Sequence, residues 1–237
     1  MPDTLTALDH PVVSNLPAMV AESLISSRLP SVKPADRAED VLSWMEDLQV
    51  GHLPVVENRE LLGLVSEAAL RDADDRQLSE AGWMGADGAF VYGRQHAYDV
   101  ISLMRYTGNG VIPVLDNESQ YLGAIGREEV LRYVSDMLAV GEPGGVIVLE
   151  MPRANYHLRE IASIIESNGA RILSLYVSSV PDSERVYVTI KLSQSELTAI
   201  MLGFERYGYT VAYTFYDARQ LDDSRDRYDA LVRYLNV

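Results

Sequence analysis

The feature that most restricts this chain is a pattern it writes twice. Residues 52–66 read HLPVVENRELLGLVS and residues 111–126 read VIPVLDNESQYLGAIG. Pro54 and Pro113 stand 59 positions apart, as do Val32 and Val91, Val41 and Val100, and Met45 and Met104. Gly63 and Gly123 are 60 apart, so the second copy has one more residue in its turn. An offset held through a helix and a pair of apolar runs is an internal repeat, and it constrains the fold before any single residue does. Ala38, Val41, Leu42, Met45 and Leu48 fall at helical spacing, as do Ala97, Val100, Ile101 and Met104. A hairpin around Asn58 or Asn117 is predicted next, then a closing helix from Ser66 or Arg127. One such unit leaves a sheet face uncovered, and its twin is the natural cover.

The order Val-x-Pro, apolar helix ending in Met, apolar-Pro-Val, polar turn, Leu-Gly and helix resembles the CBS domain. Two in tandem resemble a Bateman module, here over about residues 19–138. The expected divisions are an N-terminal arm at 1–18, one CBS-like copy at 19–79, and a second at 80–140. A Gly- and Pro-dense linker at 141–145 ends the long helix through Val130, Leu131, Val134 and Leu138.

Beyond it the apolar pattern predicts strand, helix, strand, strand, helix, strand over residues 146–216, a ferredoxin-like unit. Gly169 is placed as a helix stop, Asn155 as a helix N-cap, and Ser193 with Glu196 as a capping box. The unit resembles an ACT domain, and a CBS pair followed by an ACT domain resembles the acetoin-utilisation (AcuB-type) architecture. The whole chain is therefore expected to be α+β. The tail, 217–237, carries Tyr228, Leu231, Val232 and Leu235 at helical spacing and is predicted to form a helix.

Composition narrows the function classes. With a net charge of −15 and only Lys33 and Lys191 as lysines, no basic patch is available for phosphate backbones, so no nucleic-acid partner is expected. No apolar run reaches the roughly 18 to 20 residues a bilayer span needs, so no membrane partner is expected. The first residues lack a signal-peptide pattern, and a cytoplasmic location is the expectation. Without cysteine there is no disulfide, thiolate nucleophile or thiolate metal site. His10, His52, His96 and His157 are dispersed and no catalytic motif accompanies them, so no enzyme activity, metal or required cofactor is expected; a regulator is what the CBS and ACT resemblances imply.

The CBS resemblance implies two clefts between the copies that hold adenosine-type ligands such as AMP, adenosine or S-adenosylmethionine. It places the purine against the Val-x-Pro strand and the hairpin proline, and gives ribose to the carboxylate of a hydroxyl-x-x-Asp motif. A carboxylate suits a diol because it accepts two O–H donors at once. In the first copy Ser66 holds the hydroxyl position but Ala69 replaces the acid; Val32, His52 and Pro54 complete that weaker cleft. In the second, Gly126 replaces the hydroxyl, Glu129 takes the acidic position and Arg127 stands beside it. The favoured cleft is thus Val91, Tyr92, Pro113, Gly126, Arg127 and Glu129. Two readings of Glu129 stay open, ribose acceptor or carboxylate at a helix start. His52, Arg94 and His96 are open between phosphate contact and structure.

For the ACT-like part the resemblance implies an amino-acid site at the turn 151–157, where Tyr156 stands in place of a usual glycine. A role in joining the sheets of two subunits is the other reading. A small-molecule effector, a homodimer and a regulated protein partner of unknown identity are implied. The competing class is a scaffold with degenerate, empty clefts.

Overall fold

The computed structural model describes residues 19–71, 78, 84–85 and 89–216. The expected N-terminal arm, most of residues 72–88 and the helix expected over 217–237 lie outside the described residues. The chain divides into two compact units that meet in sequence at Tyr133/Val134. No described helix is long and apolar enough to cross a membrane.

In the first unit each copy is a helix followed by a hairpin, as the periodicity predicts. Helix α1 (Ala38–Leu48) leads to β1 (His52–Glu57), β2 (Glu60–Ser66) and the short α2 (Glu67–Arg71). A two-residue strand, β3 (Met84–Gly85), follows, then β4 (Val91–Tyr92) and α3 (Ala97–Thr107). Next come β5 (Val111–Leu115), β6 (Tyr121–Gly126) and α4 (Arg127–Met137). The apolar face of α1, through Val41 and Met45, buries against Leu53, Val55 and Val65. In the second copy Val100 of α3 does the same against Ile112, Val114 and Ile125. Even the closing hydrogen bonds repeat: Glu67 N–H donates to Gly51 at 3.0 Å and Arg127 N–H to Gly110 at 3.1 Å.

The segments that lead into each copy are exchanged. Val20–Leu24, next in sequence to the first copy, puts Ala21 and Leu24 into the core of the second. Ala21 N–H donates to Gln95 at 2.8 Å and Glu22 N–H to Gly93 at 3.0 Å. In return β3, which precedes the second copy, pairs antiparallel with β2 of the first. The sheets are β1-β2-β3 and β4-β5-β6, and the hairpins also touch, with Tyr121 N–H donating to Arg59 at 2.8 Å. Each copy thus supplies part of the other's fold, which makes the pair one structural object.

The second unit runs β7 (Val146–Pro152), α5 (Leu158–Ser167), β8 (Ile172–Ser179), β9 (Arg185–Leu192), α6 (Thr198–Arg206) and β10 (Thr210–Phe215). Its sheet order is β10-β7-β9-β8, antiparallel throughout. The strict alternation along β9 buries Val186, Val188, Ile190 and Leu192 under Ile161 and Ile165 of α5 and Ile200 and Phe204 of α6. Gly169, as expected, and Gly208 adopt φ of 76° and 79°, releasing the two helices.

Two caps differ from expectation. Asn155 closes a 3₁₀ turn over Arg153–Asn155, and α5 begins only after His157. Ser193 does not cap α6: its Oγ accepts the Arg171 N–H at 3.0 Å, tying the start of β8 to the end of β9. The carboxylate of Glu196 takes the capping role, accepting the Thr198 N–H at 2.9 Å. A hydroxyl next to a strand end can staple strands as readily as it caps a helix.

Candidate ligand site

Three segments of the first unit enclose a cavity of about 190 Å³. Its first wall is the turn Ser26–Leu29, held to β6 because Ser26 N–H donates to the Ala124 carbonyl at 2.9 Å. Ser26 Oγ accepts the Arg28 N–H at 3.2 Å, which fixes the turn and aims Arg28. The second wall, Leu48–Gly51, is the α1–β1 turn, with Gln49 left-handed at φ 54°. The third is the β6–α4 junction, Gly126 to Glu129, with Gly110 beside it.

At that junction Glu129 and Gly126 depend on one another. Glu129 Oε2 accepts the Gly126 N–H at 3.1 Å, so the side chain reaches back over the start of its own helix. A Cβ at position 126 would stand 2.9 Å from that oxygen and 3.1 Å from Leu29 Cδ1. A hydroxyl residue there would crowd both; glycine leaves the space that the longer acid uses. Arg127 lies over the turn before β5: its Nη2 donates to Gly108 O at 3.0 Å, and a Cβ on Gly110 would meet its Cζ at 3.1 Å. Arg28 Nη1 pairs with Glu128 Oε2 at 3.1 Å, and Arg132 Nη2 holds the other Glu128 oxygen at 3.0 Å. Two guanidinium groups and two carboxylates thus surround a space open to solvent.

The structure brings Gly126, Arg127 and Glu129 together but sets Val91, Tyr92 and Pro113 elsewhere. Strand β4 runs parallel to β5 with Val91 opposite Val114 and Tyr92 opposite Leu115, whereas Gly126 is opposite Val111. Along β5 they stand two (Pro113), three (Val91) and four (Tyr92) residues from the Val111 position, roughly 7 to 13 Å. Val91 is core, Pro113 is buried opposite Ala124, and Tyr92 is 39% exposed with its ring edge-on to Phe90. In their place come Ser26, Arg28 and Leu29, which follow the exchanged segment, and the α1–β1 turn, all from the first copy and marked by no motif.

In the first cleft Val32 pairs parallel with Val55, Pro54 lies opposite Leu64, and His52 opposite Ser66. Ser66 Oγ accepts the Ala69 N–H at 3.2 Å and so caps α2. Residues 86–88, which the offset aligns with 27–29, lie outside the described residues. His96 also caps: its Nδ1 accepts the Tyr98 N–H at 3.1 Å. Arg94 lies in the turn before α3.

His52 is half-buried, and burial first, then the charge of Arg127, hold its imidazole below the ordinary histidine value. The fold therefore favours the neutral ring, and the unfolded chain takes up the proton first as pH falls. This contribution to stability is whole above the ordinary histidine range and is lost as pH drops through it toward the folded value. A His52→Gln variant is expected to lose less of its unfolding temperature than the parent between neutral and mildly acid pH. Equal slopes in the two proteins would show that His52 is not the titrating group.

In the second unit a groove of about 320 Å³ borders the turn after β7, lined by Glu150, Asn155, His157, Glu160, Arg185 and Tyr209 among others. Its carboxylates are engaged: Tyr209 Oη donates to Glu160 at 2.5 Å, and Arg185 Nε to Glu150 at 2.6 Å. Burial first, and then the Glu160 carboxylate, push the Tyr209 phenol up. Tyr156 packs against the core.

Among solved structures the chain is similar to CBSX2 in complex with AMP, at 21% identity over 49% of this chain and 96% of that one, TM-score 0.43. A CBS domain pair/ACT domain protein from Thermotoga maritima matches at 20% identity over 49% and 96%, TM-score 0.44. A Vibrio cholerae protein named for acetoin utilization (AcuB) matches at 21% over 52% and 95%, TM-score 0.45. Residues 20–76, the first copy with the segment that leads into it, match the family model of the CBS domain.

Proposed function

We propose that this protein is a non-catalytic regulator in which two CBS-type copies hold an adenosine-type ligand, AMP being the first candidate. The observation that carries the reading is the cavity between the copies, where Glu129 offers a carboxylate for a ribose diol beside the guanidinium groups of Arg127 and Arg28. At about 190 Å³ it is smaller than the roughly 300 Å³ at which small-molecule pockets begin. A nucleotide therefore enters by moving one wall, and that movement is what a regulator needs: the ligand binds one arrangement better than another. We read the second unit, by its βαββαβ order, as a ferredoxin-like, ACT-type module that joins two chains and carries the change onward.

Calorimetric titration of the full chain with AMP, adenosine and S-adenosylmethionine tests this directly. Saturable binding of at least one per chain is expected. No heat and no thermal shift with any of the three would defeat the reading. The alternative, a scaffold with empty clefts, is favoured by Ser66 and Glu129, both of which serve as internal helix caps; it predicts that null result.

A further inference from the structure

We infer that Arg28 is the residue by which this cleft selects a phosphate-bearing ligand, and that Glu128 is a built-in competitor occupying Arg28 until such a ligand arrives. The inference rests on the proposed adenosine-type reading and goes beyond it by choosing among the ligand candidates. Arg127 and Arg28, the cations among the described residues that line the cavity, differ in how they are held. Arg127 lies against its own turn and donates to the Gly108 carbonyl. Arg28 instead reaches from the Ser26–Leu29 turn to α4, where it pairs, among the described residues, with Glu128, the two side chains being 64% and 60% exposed. Exposed pairs of this kind contribute little to stability, so exchanging the partner costs little. A phosphate offers the guanidinium two oxygens and more charge than a single carboxylate.

Glu128 need not be left without a partner when Arg28 turns away. Its other oxygen already holds Arg132, one helical turn along α4. Freed from Glu128, Arg28 would be drawn into the cavity that it lines, and the wall made by its turn would no longer be tied to α4. Ser26, bonded to β6 and to the Arg28 backbone, keeps the base of the side chain in place meanwhile. The same device gives ligands without phosphate no advantage: adenosine gains nothing from Arg28 and leaves the pair closed.

The test compares AMP with adenosine by calorimetry on the full-length parent, Arg28→Gln and Glu128→Gln, after circular dichroism shows that all three share one fold. The parent is expected to bind AMP more tightly than adenosine. Arg28→Gln should weaken AMP roughly tenfold and leave adenosine within about twofold. Glu128→Gln should tighten AMP by about two- to fivefold, again with adenosine unmoved. If either variant shifts AMP and adenosine equally, or moves AMP in neither case, the assignment of Arg28 and Glu128 is overturned while the nucleotide reading stands. If the parent binds neither compound, the underlying reading fails and this assignment falls with it.

Discussion

Replacing Gly144 by alanine is expected to destabilise the second unit by about 3 kcal/mol or more, lowering its unfolding temperature by on the order of 10 °C. The residue sits in the Gly141–Gly145 stretch that reads as a loose linker, yet Gly144 and Gly145 are hydrogen-bonded to the end of β9 and the turn after it. Gly145 N–H donates to Gln194 O at 2.9 Å, Leu192 N–H donates to Gly145 O at 2.9 Å, and Lys191 Nζ donates to Gly144 O at 3.0 Å. Gly144 enters this arrangement at φ 139°, and a Cβ there would come 1.9 Å from the Leu192 carbonyl oxygen. That oxygen is backbone at the end of β9, and the Leu192 side chain is core, so neither yields without unpacking. Either the start of β7 peels away from β9, losing its hydrogen bonds, or the strand end moves with its buried leucine. Gly141 is the control, because a Cβ on it meets nothing within 4 Å. Gly141→Ala should stay within about 0.5 kcal/mol of the parent. Urea unfolding of the full chain, followed by circular dichroism, separates the cases; equal midpoints for the two variants would mean that the stretch is a spacer after all.

What the sequence made legible was what depends on neighbours in the chain. The 59-residue offset, the helical spacing of Val41 and Met45, and the alternation of Val186, Val188 and Ile190 each follow from one element facing one core, and each appears where expected. What stayed hidden depends on partners far along the chain. Nothing local in Ala21 and Leu24 says that they bury in the second copy, nor in Met84 and Gly85 that they extend the first copy's sheet. The cavity inherits this blindness: Arg28 and the α1–β1 turn of the first copy line it beside the β6–α4 junction of the second, while parallel pairing sets Val91 and Tyr92 opposite Val114 and Leu115 and Pro113 lies within β5 itself. Ser193 misled for a related reason, since a hydroxyl's partner is chosen by geometry that spacing does not contain. Gly126 and Glu129, two separate departures in sequence, become a single substitution in space, with the extra methylene of the acid using room that a hydroxyl residue would fill.

That coupling sets up the sharpest test of the cleft, because Glu129 has two possible employments that predict different losses. If the carboxylate serves only its helix, Glu129→Ala gives up the bond to the Gly126 N–H, costs about 1 kcal/mol of stability, and leaves nucleotide affinity unchanged. If it also receives the ribose, its remaining acceptor capacity matters, since Oε2 alone faces the backbone donor. Hydrogen bonds to a charged acceptor contribute roughly 1.5 to 3 kcal/mol, so Glu129→Ala is then expected to weaken AMP by roughly 10- to 100-fold. Glu129→Gln separates the roles: its amide oxygen can still accept the Gly126 N–H, so stability should hold within about 0.5 kcal/mol while AMP weakens roughly tenfold. The matching ligand change is 2′-deoxy-AMP, which removes one of the two hydroxyl donors. In the parent it should bind several-fold more weakly than AMP, and in Glu129→Gln the two nucleotides should become nearly equal, because groups in direct contact do not contribute additively. Calorimetry of the four pairings, with thermal unfolding of each protein, reads both roles at once. A full deoxy penalty persisting in Glu129→Gln would place the diol elsewhere in the cleft and leave Glu129 as a helix cap.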